Sequence, residues 1–224
     1  MNEINTLVIG GTSGIGKDIV KFLRSKKHHV ITVSRKKVNS SQHLTFDILN
    51  DDILYLKKSL KKKINYLIFS QRYRGDDDND HLIISLKWVS DFLEIMQDFF
   101  LKEASIVILG SIASDFFIKE QSAIYHASRG ALKSLVKYYA VLLGKKGIRV
   151  NSISPDFVIK ESNRIYLKKN PNLIKKFKRL IPLQKVCTSK DISYLINFLC
   201  SKQSTFLTGQ NIILDGGLTA VSRY

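Results

Sequence analysis

Two residues four positions apart, Tyr125 and Arg129 in the stretch YHASRGAL, are the first in this chain whose types and spacing could do chemistry. On a helix such a pair shares one face, either as a surface pair or as a phenol held beside a cation. A free tyrosine has a pKa near ~10, so acid–base work near neutrality needs a positive neighbour. A second set lies in GGTSGIGKDI, directly after an apolar run. Gly10, Gly14 and Gly16 there allow a sharp backbone turn and close approach to a pyrophosphate, whose charge is favoured at a helix N-terminus. A third set is VSRKK, where Ser34 and Arg35 follow another apolar run. A guanidinium there can grip a 2′-phosphate that a carboxylate would repel, although Arg35–Lys36–Lys37 also reads as a solvated basic turn.

These residues need elements to hold them. Strand-like apolar runs occur at 4–10, 29–33, 43–46, 65–70, 105–110, 148–154 and 211–214. Helical patterns fall between them at 14–27, 50–62, 80–102, 122–145 and 189–202. Strands joined by helix-length crossovers imply an α/β, doubly wound parallel sheet covered on both faces. Ligands of such a sheet sit beyond the carboxyl ends of the strands, which is where all three sets lie. The least regular part is 155–188, rich in lysine.

At 224 residues the chain fits one domain, 1–224, and 44% hydrophobic with 25% charged residues is ordinary for a soluble globular protein. No long apolar run suggests a membrane span, and the N-terminus reads as a first strand rather than a signal peptide, so the expected compartment is cytoplasmic. Cys187 and Cys200 match no metal or redox spacing and read as small core residues, and the histidines form no ligand set. No metal is expected. The acidic run 76–80 has no glycine at the sixth position and Lys87 at the twelfth, so it reads as a helix-capping turn rather than a calcium loop. The net charge of +17 invites acidic partners. The lysines are spread without aromatic interleaving, which argues against a nucleic-acid reader.

The ordered motifs resemble the short-chain dehydrogenase/reductase family. VIGGTSGIG is similar to that family's glycine loop, and FDI (46–48) to its Asp-hydrophobic pair beside adenine. GSIAS matches its serine-bearing strand end, YHASRGAL its Y-x-A-S-K-x-A-L, and GIRVNSISP and FLTGQNIILDGG its later motifs. The resemblance covers the whole length and implies a Rossmann-like sheet of about seven parallel strands. It implies that Tyr125 is the acid/base, that Ser111 holds the substrate oxygen with Ser114 as the fallback, and that Arg129 and Ser85 stand where the family has lysine and asparagine. Cofactor contacts then fall to Gly10, Thr12, Ser13, Gly14, Ile15 and Gly16 in the loop. Ser34, Arg35, Asp47, Ile48, Ser70, Pro155 and Val158 add to them, together with Tyr125 and Arg129.

Departures gather at this site. Phe69–Ser70–Gln71–Arg72 replaces N-N-A-G, Asp156 replaces a glycine and Lys160 a threonine. The resemblance with Ser34–Arg35 implies an NADP-dependent oxidoreductase, with NAD less favoured, interconverting a carbonyl and an alcohol. The competing readings are a catalytically weakened nucleotide-binding or scaffolding relative and an acyl-carrier-protein-linked ketoreductase. Residues 156–183 resemble a substrate lid, whose basic side chains hint at an anionic substrate. Relatives pair through the helix corresponding to 122–145, so a homodimer or homotetramer is expected, with Leu132, Val136 and Tyr139 as the pairing surface. Arg129→Lys is expected to be tolerated or to raise activity.

Overall fold

The computed structural model describes residues 4–221. The strands are β1 (Asn5–Ile9), β2 (His29–Ser34), β3 (His43–Thr45), β4 (Ile64–Phe69), β5 (Phe100–Leu109) and β6 (Arg149–Pro155). Then come the short β7 (Val158–Ile159) and β8 (Cys187–Thr188), which pair only with each other, and β9 (Asn211–Leu214). The remaining seven form one sheet in the order β3-β2-β1-β4-β5-β6-β9, every pairing parallel. All seven runs read from the sequence are therefore strands of this sheet.

The sheet is covered on both faces, and alternate residues show it. Leu7, Leu67, Phe69, Ile106 and Ile108 enter one core, with α2 (Ile53–Ser59), α4 (Trp88–Met96) and α5 (Ala123–Gly144). Val8, Ile68, Val107 and Ile153 enter the other, with α1 (Gly14–Ser25) and α8 (Ser189–Cys200). Each fully buried Ile or Leu contributes about 1.5–3 kcal/mol relative to exposure. Ile9, the last residue of β1, stands opposite Val33 on one side and Phe69 on the other. The glycine loop therefore leaves the sheet where its strand order reverses.

Three sequence expectations change. The helix read at 80–102 is α3 (Asp78–Leu82), a π-helical turn at Ile83–Lys87, and α4. It ends early because Phe100 is buried as the first residue of β5. The irregular stretch 155–188 holds two helices, α6 (Glu161–Lys169) and α7 (Pro171–Leu180), the second opened by a proline in its first turn. The proposed pairing surface on α5 is core: Leu132, Val136 and Tyr139 are at most 2% exposed, and the Tyr139 hydroxyl bonds Ser90 Oγ at 2.7 Å. The apolar side chains that α5 does expose are Tyr138, Val141 and Leu142. The acidic run behaves as read, with Asp77 capping α3 by accepting the Asp80 N–H at 2.8 Å. No helix among the described residues is long and apolar enough to cross a membrane.

Candidate functional site

A cleft of ≈ 940 Å³ opens at the carboxyl ends of the central strands. Its floor is the glycine loop. Gly10 has φ +79° and packs against the backbone of residue 71, and Gly14 has φ +54°, so both turns suit a residue without a side chain. At Gly16 a Cβ would fall 2.2 Å from the Gly10 carbonyl oxygen and 2.5 Å from Ser70 Oγ, so only glycine lets α1 approach the loop this closely. Ser13, the residue before α1, makes no side-chain cap, and the first turn carries no acidic residue. By contrast α2, α3, α5 and α8 are each capped by a side chain. The first-turn N–H groups of α1, with the loop residues Thr12, Ser13, Gly14 and Ile15, thus face the cleft with no side-chain acceptor.

One side of the cleft is fastened to β2 and β1 by side-chain hydroxyls. Thr12 Oγ1 donates to Ser34 Oγ at 2.8 Å, joining the loop to the end of β2. Arg35 lines the cleft as an exposed cation beside Lys36. Asp47 and Ile48 line it after β3, and the Asp47 carboxylate shapes its own turn by accepting from Leu49 N at 3.2 Å and Asn50 Nδ2 at 3.0 Å. Ser70 also lines the cleft, but its hydroxyl is occupied, donating to the Ile9 carbonyl at 2.7 Å and fastening β4 to β1. Pro155 and Val158 close the far side.

The other end is built from α5 and the π turn. Ser122 caps α5 by accepting the Tyr125 N–H at 3.1 Å, which fixes where Tyr125 stands at the cleft. One turn on, Arg129 is only 5% exposed, with its guanidinium carbon 4.8 Å from the Tyr125 ring centroid. The two residues are therefore a half-buried phenol on a buried cation, not a surface pair. Arg129 Nη2 donates to Ser85 Oγ at 3.5 Å, a long contact supplied by the π turn. Burial lowers the Arg129 pKa, while Tyr125 opposes that shift. Ser111, two residues past β5, accepts the Ala113 N–H at 3.2 Å and lines the same cleft. Ser114 is turned to Asp115, its hydroxyl donating to the carboxylate at 2.8 Å, which favours Ser111 of the two serines.

The exchanges at this end compensate in size. Arginine is longer than the lysine of the resemblance, and serine is shorter than its asparagine, so the guanidinium reaches the hydroxyl directly. Gln71 Oε1 and Arg129 Nε are buried without a protein hydrogen-bond partner. Both residues line a small cavity of ≈ 10 Å³ beside Ser85, about the room one water needs.

The structure adds residues that the sequence reading missed. Arg72 places its guanidinium carbon 5.3 Å from the Tyr125 ring centroid, a second cation beside the phenol. Buried His81 packs edge-on to Tyr125 at 5.8 Å and bonds Ser128 Oγ at 3.0 Å. Because that hydroxyl donates to the Tyr125 carbonyl, His81 Nε2 is the donor to Ser128. Burial, then Arg129, lower the His81 pKa. The only signal in the sequence for Arg72 was its place in the stretch 69–72 where the N-N-A-G motif is lost, and His81 had none. Asp156 has a buried, unpartnered carboxylate oxygen and a pKa raised by burial. Burial pushes the Cys187 and Cys200 thiols up to about 12, so both are poor nucleophiles. No three His, Cys, Asp or Glu side chains among the described residues gather as a metal set.

Residues 76–219 match the family model described as enoyl-(acyl carrier protein) reductase. A tropinone reductase homolog of Arabidopsis thaliana is 27% identical over 98% of this chain and 92% of its own length. Among solved structures, a short chain dehydrogenase family protein from Francisella tularensis is 28% identical, with TM-score 0.82, over 98% of this chain and 100% of that one. A 4-hydroxyisoleucine dehydrogenase complexed with NADH is 27% identical, with TM-score 0.86, over the same shares. A glycine loop, a tyrosine helix and a parallel sheet, with similarity along the full length, have one common explanation: this chain is a member of the short-chain dehydrogenase/reductase family, whose relatives here are named as reductases and dehydrogenases.

Proposed function

We propose that the protein is an NADP(H)-dependent oxidoreductase that interconverts a carbonyl and an alcohol. The observation that carries this reading is the Tyr125 ring lying 4.8 Å from the buried Arg129 guanidinium, in the cleft that the glycine loop opens. The residues present fit a dinucleotide. The loop turns at Gly10 and Gly14 leave the backbone bare, and the first turn of α1 offers uncapped N–H groups to a diphosphate. Arg35, with no carboxylate at the end of β2, suits a 2′-phosphate, whereas the 4-hydroxyisoleucine dehydrogenase was complexed with NADH. The fold alone therefore does not choose between the two nucleotides. Ser34–Arg35 does.

When bound, the nicotinamide supplies or accepts the hydride at carbon. In the reducing direction Tyr125 Oη gives its proton to the substrate oxygen, while Ser111 donates a hydrogen bond to that oxygen. The charge left on Tyr125 faces the guanidinium of Arg129, with Arg72 on hand beside the ring. Helix α7 contributes Leu173, Lys176 and Phe177 to the cleft, and Phe157 stacks on Phe177 at 4.4 Å, so 156–183 serves as the substrate lid. Assembly into a homodimer uses the exposed Tyr138, Val141 and Leu142 face of α5.

Fluorescence titration with both cofactors, followed by turnover assays on a broad carbonyl panel, tests the reading. NADPH should bind at least roughly tenfold tighter than NADH, about 1.4 kcal/mol, and Arg35→Ala should erase the difference. Equal affinities in the unaltered protein would remove NADP. NADPH binding with no turnover across the panel would favour the weakened, nucleotide-binding relative.

A further inference from the structure

Seven cationic side chains line the cleft against three carboxylates. Two of the cations meet over a single point of the glycine loop. Arg74, from the segment after β4, brings Nη2 to 3.7 Å from where a Cβ on Gly14 would stand. Lys160, from the opposite wall between β7 and α6, brings Cδ to 3.9 Å from the same position. Lys160 is held there by its neighbours. The Glu161 N–H donates to Asp18 on α1 at 3.3 Å, and Asn163 Oδ1 accepts the Lys160 N–H at 2.8 Å.

Neither Arg74 nor Lys160 makes an ion pair among the described residues. The carboxylates on adjoining elements are engaged elsewhere, Glu161 by Lys17 at 3.2 Å and Asp18 by the Ser189 hydroxyl and the Glu161 N–H. Burial lowers the Lys160 pKa, Arg74 and Arg72 lower it further, and Asp18 on α1 opposes the shift. Like charges brought together over a half-enclosed floor disfavour each other unless an anion sits between them.

We propose that Arg74 and Lys160 form a two-sided cation clamp over Gly14 that closes on the diphosphate of the bound dinucleotide. The proposal rests on the nucleotide-binding reading above. It places the anion at the loop and not at the reacting carbon, because the cations near Tyr125 are different ones, Arg129 and Arg72. The clamp also joins the two walls of the cleft, so cofactor binding draws the start of the lid toward the segment after β4. The lysine thus turns a position where the family keeps a neutral hydroxyl into a charged contact.

The test titrates NADPH, ADP and adenosine 2′-monophosphate into the unaltered protein, Arg74→Met, Lys160→Met, Lys160→Arg and the double Met variant, at low and high salt. Methionine keeps the side-chain bulk and removes the charge, and thermal melts verify that each variant is folded. Each Met variant should weaken NADPH and ADP about tenfold and flatten their salt dependence, while Lys160→Arg stays near the original affinity. Adenosine 2′-monophosphate, which has no diphosphate, should bind all five proteins alike. Unchanged NADPH and ADP affinities overturn the clamp while leaving the enzyme reading intact. Equal losses for all three ligands also overturn it, as a field effect without a site. Intact NADPH affinity with a raised KM for a phosphate-bearing substrate overturns it by moving the anion to the substrate. If the unaltered protein binds neither NADPH nor NADH, the nucleotide reading and the clamp fall together.

Discussion

Arg129→Lys restores the cation that the family carries, and on sequence alone it should repair the site. The packing argues for the reverse. Lysine is one covalent bond shorter, roughly 1.3 Å, than the path to an arginine Nη. Arg129 Nη2 already stands 3.5 Å from Ser85 Oγ, the limit of a hydrogen bond, so the shorter amine loses that partner. It also replaces a planar group beside the Tyr125 ring, a contact worth about 0.5–2 kcal/mol, and enlarges the small cavity between Gln71, Ser85 and Arg129. Removing the unpartnered Nε–H offsets part of this. The net expected loss is about 1–2 kcal/mol, which at this chain length lowers Tm by about 2–8 °C.

Ser85→Asn alone crowds a site that is 4% exposed, at a cost of about 1–3 kcal/mol. In the double variant the amide occupies the space the guanidinium gave up, and its oxygen accepts from the lysine amine. The double should therefore recover most of both losses, a coupling of about 1–3 kcal/mol. Thermal melts and NADPH titrations on the four proteins read the cycle directly. Losses that add to within about 0.5 kcal/mol would refute the size-exchange argument, as would an Arg129→Lys protein melting at or above the original.

Tyr125→Phe should reduce turnover by about 10²-fold or more with NADPH affinity nearly unchanged; full turnover in steady-state kinetics would end the proton-transfer role. Asp156→Asn should raise Tm at neutral pH. A carboxyl whose folded pKa is raised by burial weakens the fold as pH climbs through the ordinary value of 3.8, so the gain should vanish in melts below that pH and be complete above the folded value. Light scattering at micromolar concentration should give a dimer mass or more, and Tyr138→Glu with Val141→Glu should shift it to monomer; a monomer for the unaltered protein removes the α5 interface.

The sheet was legible because a parallel sheet covered on both faces demands short, continuous apolar runs, and β1, β4 and the buried end of β5 have little else. The glycine loop was legible because backbone geometry forbids any other residue at Gly16, and such a constraint leaves its mark in residue type. The surface of α5 was not. Its apolar residues run around much of the helix, and periodicity cannot say which stripe meets the sheet and which meets solvent. The π turn escaped notice because Ser85 and its neighbours have ordinary helical character, and only the packing shows the extra residue in the turn. Arg72 and His81 were hidden for a related reason. They come from segments remote in sequence from α5, and their role exists only where the fold brings them to Tyr125.

The departures from the family pattern can be read as decay or as a different solution, and the packing supports the second, as proposed above. A decaying site loses contacts independently, and the unpartnered Gln71 Oε1 and Arg129 Nε beside the small cavity are gaps of that kind. Here a longer cation meets a shorter hydroxyl at Ser85, and the segment that lost its N-N-A-G motif delivers Arg72 to Tyr125 and Arg74 to Gly14. Lys160 meets Arg74 from the opposite wall. An arginine that is 95% removed from solvent and has no carboxylate partner is costly to keep in an empty protein. That cost is recovered only if something negative arrives, and the cleft gathers its other cations along the same path that a dinucleotide would follow from Arg35 past Gly14 to Tyr125. Asp156 runs against this trend, a carboxyl whose pKa burial raises and whose charge opposes the positive field. The altered residues thus act together on charge, which is what a site rebuilt around an anionic ligand requires.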